Sequence, residues 1–128
     1  MLQPNAMVLY VDNLAKSSAF YQDILGLSPE ESSPTFNAFT FANGVGLGLK
    51  TKNTVVPPAT EAVGGTELVF SFDKPEQVDE LFVQWQKKAI PFAQAPTELP
   101  FGYTFVALDP NGNRLRVIAM RTENWSIR

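Results

Sequence analysis

Apolar positions along this chain switch between strand-like runs and helix-like stripes, and they do so twice. Ala6–Val11 is a short apolar run with β-branched content, which predicts a buried strand. Asn13 stands where a helix would be capped. Leu14, Ser17, Ser18, Tyr21, Ile24 and Leu25 then fall at helical spacing, and Gly26 is a natural stop. Beyond Pro29 and Pro34, residues 36–41 and 45–50 predict two strands, with Asn43-Gly44 between them as a tight-turn signal. Residues 51–65 contain Pro57-Pro58 and Gly64-Gly65, lack periodicity and read as a linker. Residues 66–72 alternate as a strand does, and Pro75 suits the first turn of a helix. Val78, Leu81, Phe82 and Trp85 form the i, i+3, i+4, i+7 stripe of an amphipathic helix. Residues 103–108 and 114–120 predict strands joined by the turn Asp109-Pro110-Asn111-Gly112-Asn113.

Each half therefore reads strand, helix, irregular segment or short strand, then hairpin, and Asn43-Gly44 is echoed by Asn111-Gly112. An internal repeat of this length is the main organisational clue. It predicts an α+β chain in which residues 1–128 form a single domain of two similar modules. Module one takes about 1–51, a linker 52–65, module two 66–121, and a short tail follows. A length of 128 residues suits one domain with a proper core.

Composition narrows the function classes. With 45% apolar and 18% charged residues the chain reads as globular. A net charge of −3 argues against nucleic acid as a partner, since that would favour basic stripes. No apolar run approaches the ~20 residues needed to cross a bilayer, and Met1-Leu2-Gln3-Pro4-Asn5 does not read as a secretory leader. A cytoplasmic location is the default expectation. Cysteine is absent, so disulfides and thiol chemistry are excluded. Histidine is absent too, which removes the commonest general base and a leading transition-metal ligand.

Two stretches carry a family resemblance. Val11-Asp12-Asn13-Leu14-Ala15-Lys16-Ser17, with Phe20-Tyr21 and Leu25-Gly26-Leu27, resembles the first-module signature of the vicinal oxygen chelate superfamily. Phe105-Val106-Ala107-Leu108-Asp109-Pro110-Asn111-Gly112-Asn113 is similar to its second-module signature. Glyoxalase I, extradiol dioxygenases, fosfomycin-modifying enzymes and bleomycin-binding proteins share that fold. The resemblance spans nearly the whole chain. It implies paired βαβββ modules in a glyoxalase-like fold, each curled into a cup facing a small-molecule site, and a homodimer with sites built from both subunits.

In metal-dependent members, the resemblance implies one ligand from the first and last strand of each module. Those positions match Ala6, Gly48, Glu67 and Arg116 here. Only Glu67 could ligate, and Arg116 brings a permanent positive charge. The expectation is therefore no metal, no cofactor and no catalytic residue. One metal-free branch of the family consists of drug-binding proteins. Ser33-Pro34-Thr35-Phe36, residues 44–50 and Phe101-Gly102-Tyr103 most resemble the phenazine-resistance subgroup, although Lys50 stands where that subgroup places an aromatic platform.

Strand alternation sharpens the site. If Arg116 faces the cup, so do Arg114, Ile118 and Met120, and likewise Gly46, Gly48 and Lys50, Glu67, Val69 and Ser71, and Val8 and Tyr10. Leu9, Val11, Leu47, Leu49, Leu68, Phe70, Phe72, Leu115 and Val117 then face the helices. For the strands at 36–41 and 103–108 the facing is ambiguous; Phe36 and Tyr103 enter the site on the resemblance alone. The nominated ligand-binding residues are Tyr10, Phe36, Gly48, Lys50, Glu67, Phe101, Tyr103, Arg116 and Ile118. Glycines would leave room, aromatic rings stack, and arginine can fork onto a carboxylate, which suits a flat aromatic ligand with an acidic group. Glu67 and Arg116 can also pair with each other and fill the old metal position, with or without ligand contact by Arg116. Trp85 reads as core. Trp125, in the polar tail, packs across a dimer or hangs free. Three functions compete: a metal-free protein sequestering a planar aromatic compound such as an antibiotic, a metal-dependent lyase, isomerase or dioxygenase, and a structural or regulatory protein with a filled cup.

Overall fold

The structure, a computed structural model, describes residues 1–121. Trp125 lies outside the described residues. The chain divides into two compact units at Gly64/Gly65.

In the first unit, β1 (Ala6–Val11) leads into α1 (Leu14–Leu25), followed by β2 (Glu31–Ser32), β3 (Phe36–Thr40) and β4 (Gly46–Thr51). The sheet order is β1-β4-β3-β2, with β1 and β4 parallel and the other pairs antiparallel. The local signals act as their chemistry requires. Asn13 Oδ1 accepts from Lys16 N at 3.0 Å, satisfying an N–H that the helix leaves orphaned. Gly26 adopts φ 65° and donates its N–H to Gln22 O, closing the helix. The β3–β4 turn is held by Asn43 Oδ1 accepting from Val45 N at 3.0 Å. Phe41 N donates to Val45 O across the same turn, and the strands flank it, β3 ending at Thr40 and β4 beginning at Gly46.

The second unit repeats the order: β5 (Glu67–Phe72), α2 (Pro75–Lys87), β6 (Phe92–Leu99), β7 (Gly102–Leu108) and β8 (Arg114–Met120), arranged β5-β8-β7-β6. Lys74 N donates to Gln77 Oε1 at the start of α2, with Pro75 in its first turn. Asp109 organises the β7–β8 turn, its Oδ1 accepting from Asn111 N and Asn113 N. Asn113 Oδ1 in turn accepts from Thr66 N, tying the turn to the start of β5. The eight-residue β6 stands where the sequence offers an irregular segment or a short strand. It contains Pro96, which an edge strand tolerates where the register shifts between Gln94 and Thr97.

Both units are thus βαβββ modules of an α+β, glyoxalase-like fold. Each buries one sheet face under its helix. Leu9, Val11, Phe39, Leu47 and Leu49 are buried with Tyr21 in module one. Leu68, Leu115 and Val117 are buried with Val78 and Trp85 in module two. There the rings of Phe82, Trp85, Phe92 and Phe105 form an aromatic cluster with centroids 4.6–5.7 Å apart.

Candidate ligand-binding faces

The face of each sheet turned away from its helix carries the candidate chemistry. In module one, the ambiguous β3 is settled by Asn37, whose Nδ2 donates to Ser18 Oγ of α1 at 2.7 Å. Alternation then puts Phe36, Ala38 and Thr40 on the open face. The register aligns Tyr10, Lys50 and Phe36 in one row across β1, β4 and β3, with Val8, Gly48 and Ala38 in the next. Tyr10 is 41% exposed and Val8 48%, unusual for large apolar groups on a sheet face.

Gly48 does not leave open room, as the sequence suggests. A Cβ built there would lie 2.7 Å from Cε1 of Phe36, so the ring already occupies that space. The missing side chain lets the Phe36 ring rest against β4. Above it stands the Lys50 ammonium, 5.9 Å from the ring centroid, within cation–π range.

In module two, Tyr103 corrects a sequence expectation. It lies on the helix face, its hydroxyl donating to Asp79 Oδ1 of α2 at 2.6 Å. That bond raises the phenol above its ordinary range, helped by partial burial and the negative charges of Asp79 and Glu98. The alternation of β7 therefore turns Thr104, itself buried, away from the helix; sequence missed it because both faces of β7 are largely apolar. Thr104 shows its facing by accepting from Arg116 Nη1 at 3.3 Å.

Arg116 is held on three sides. Its Nε lies 3.3 Å from Glu67 Oε1, its Nη1 reaches Thr104, and its guanidinium stands 5.7 Å from the Phe101 ring centroid. The Glu67–Arg116 ion pair that the sequence offers is formed. Ile118 keeps the Arg116 parity but is buried, at only 1% exposed. A separate concavity of about 440 Å³ opens at the ends of β1 and β4, between Val11, Asp12, Thr51, Lys52 and Pro58. None of the residues nominated from sequence lines it.

The four positions that would hold the family's metal do not fit one. In module one, Ala6 and Gly48 carry no donor, and in module two the Glu67 carboxylate is already engaged by a guanidinium. Among the described residues no group of three or more His, Cys, Asp or Glu side chains is placed to hold a metal ion.

Comparison with known proteins agrees with this architecture. Residues 3–117 match the model of the Glyoxalase/Bleomycin resistance protein/Dioxygenase superfamily, and the chain belongs to that superfamily. It is 29% identical over 119 residues, 91% of each chain, to the phenazine antibiotic resistance protein EhpR of Enterobacter agglomerans. A solution NMR structure of an Agrobacterium tumefaciens protein is 45% identical and superimposes with a TM-score of 0.82, covering 95% of this chain and all of that one. A lactoylglutathione lyase from the same organism is 26% identical, with a TM-score of 0.75 and coverage of 91% and 92%. Its relatives thus include an enzyme and a resistance protein. Among the described residues no helix is long and apolar enough to cross a membrane.

Proposed function

We propose that this chain is a metal-independent binding protein that sequesters a planar aromatic compound, such as an antibiotic, rather than an enzyme. The observation that carries the reading is the row Tyr10–Lys50–Phe36, which places two rings on the open face of one sheet, with one ring seated on a glycine. Aromatic platforms on an exposed face gain about 0.5–1.5 kcal/mol per stacked ring. Likeness to a protein named for phenazine resistance supports the same ligand shape, phenazine being a flat tricycle. The donor set at the four metal positions supports binding over metal-assisted turnover. Glu67, Arg116 and Phe101 belong to this reading as a braced cluster on the second module's face, and the reading includes a cytoplasmic homodimer without cofactor.

The filled-cup reading also has an observation in its favour, because the Phe36 ring and the Glu67–Arg116 pair occupy space a ligand could take. A thermal-shift series with planar aromatic compounds, run with and without chelator, separates the readings. Sequestration predicts saturable stabilisation of about 2.7 kcal/mol at a hundredfold excess over Kd, unchanged by chelator. No shift with any compound favours the filled module. Stoichiometric metal in the purified protein, or binding lost on chelation, overturns the proposal in favour of an enzyme.

A further inference from the structure

The two modules present basic residues in opposite electrostatic states. Arg116 is compensated by Glu67, with Thr104 and Phe101 taking up two more of its sides. Among the described residues Lys50 has no carboxylate partner, and its ammonium stands 5.9 Å from the Phe36 ring centroid. The sequence points to Arg116 as the group that would take an acidic ligand. The geometry moves that role to the other module.

Lys50 sits on the central strand of the row, with Tyr10 on one side and Phe36 on the other. Neighbouring strands are about 4.8 Å apart, so the row spans roughly 10 Å, the long dimension of two or three fused rings. A flat molecule lying along it would cover both rings and bring a substituent over the ammonium. Two carboxylates share the sheet's edge. Glu30 accepts from Thr40 Oγ1, and Thr40 pairs with Gly46, about 13 Å along β4 from Lys50. Glu31 pairs with Ala38 on the outermost strand and forms no ion pair with Lys50. Neither neutralises the ammonium.

We propose that Lys50 is the specificity-determining residue of the module-one face, selecting planar aromatic anions, carboxylates or sulfonates on fused rings, over neutral and cationic molecules of the same shape. This rests on the reading of that face as an aromatic-binding site. A half-exposed ammonium meeting a carboxylate in the bound state is worth about a fivefold preference, reduced by salt. A cationic ligand of the same shape meets like charge and loses affinity.

The test titrates the full-length protein calorimetrically with 2-naphthoate, 2-naphthamide and 2-naphthylmethylammonium, which share a ring system and differ in charge. The expected order is carboxylate tightest, by about fivefold over the amide at low salt, and the ammonium weakest. Lys50→Met keeps most of the aliphatic stem; it should bring carboxylate and amide within about twofold while leaving the amide's affinity in place, and Lys50→Arg should restore the preference. Arg116→Met should retain the preference even where all three ligands weaken. Equal binding of carboxylate and amide by the parent overturns the inference. So does a preference that survives Lys50→Met or disappears in Arg116→Met. If none of the three naphthalenes binds, the aromatic-site reading itself falls and takes this one with it.

Discussion

Gly48→Ala is the substitution that best separates a binding face from a merely well-packed one. The added methyl would sit 2.7 and 2.9 Å from Cε1 and Cζ of Phe36 and 3.3 Å from Cγ2 of Val8. Relaxed carbon–carbon contacts fall at about 3.5–4.0 Å, so the ring must withdraw by roughly 1 Å. The obstacle is a side chain and not backbone, and Gly48 is not among the residues at positive φ, so the strand itself tolerates alanine. Full burial of a phenylalanine is worth about 1.5–3 kcal/mol, and this ring is half-buried, which limits the loss to about 1 kcal/mol. Against that, replacing glycine narrows the unfolded ensemble and stabilises by about 0.4–1 kcal/mol. The two nearly cancel, and the melting temperature should move by no more than about 5 °C. The stacking platform does not benefit from that cancellation. Tilting one ring forfeits about 0.5–1.5 kcal/mol of ligand contact, a two- to tenfold rise in Kd. Calorimetric titration with 2-naphthoate beside a thermal melt reads both quantities. Unchanged affinity in a variant whose Phe36 ring has demonstrably shifted would refute the role given to this platform.

Three further outcomes follow from the same geometry. Glu67→Gln should cost less than about 1 kcal/mol in urea denaturation, because the pair is screened (side chains 17% and 39% exposed) and Arg116 keeps Thr104 and Phe101; a loss above 2 kcal/mol would contradict this. Tyr103→Phe removes the bond to Asp79 and should lower stability at neutral pH by at most about 1 kcal/mol. Since folding raises the Tyr103 pKa above 10.0, the parent's advantage should hold up to that pH and vanish as the pH climbs through the folded-state value; an advantage that grows with alkalinity would have the wrong sign. Trp85→Ala opens the aromatic cluster beside Phe105 and should destabilise by about 3–5 kcal/mol, measured by chemical denaturation.

The amino-acid sequence by itself determined the elements and their repetition, because the forces that make them act over a few residues. Asn13 and Gly26 bound a helix whatever lies beyond it, and Asn43-Gly44 and Asp109–Asn113 turn the chain wherever they stand. Leu9, Val11, Leu47, Leu49, Leu68, Leu115 and Val117 announced their buried faces by period alone. Where both parities were partly apolar, as in β3 and β7, period said nothing, and one long-range bond decided each strand: Asn37 to Ser18 and Tyr103 to Asp79. Only tertiary pairing could seat Phe36 on Gly48, bury Ile118, and line up Tyr10, Lys50 and Phe36 from three separate strands. Register between strands far apart in the chain is fixed by how whole faces pack, and no local pattern encodes which residues will end up side by side.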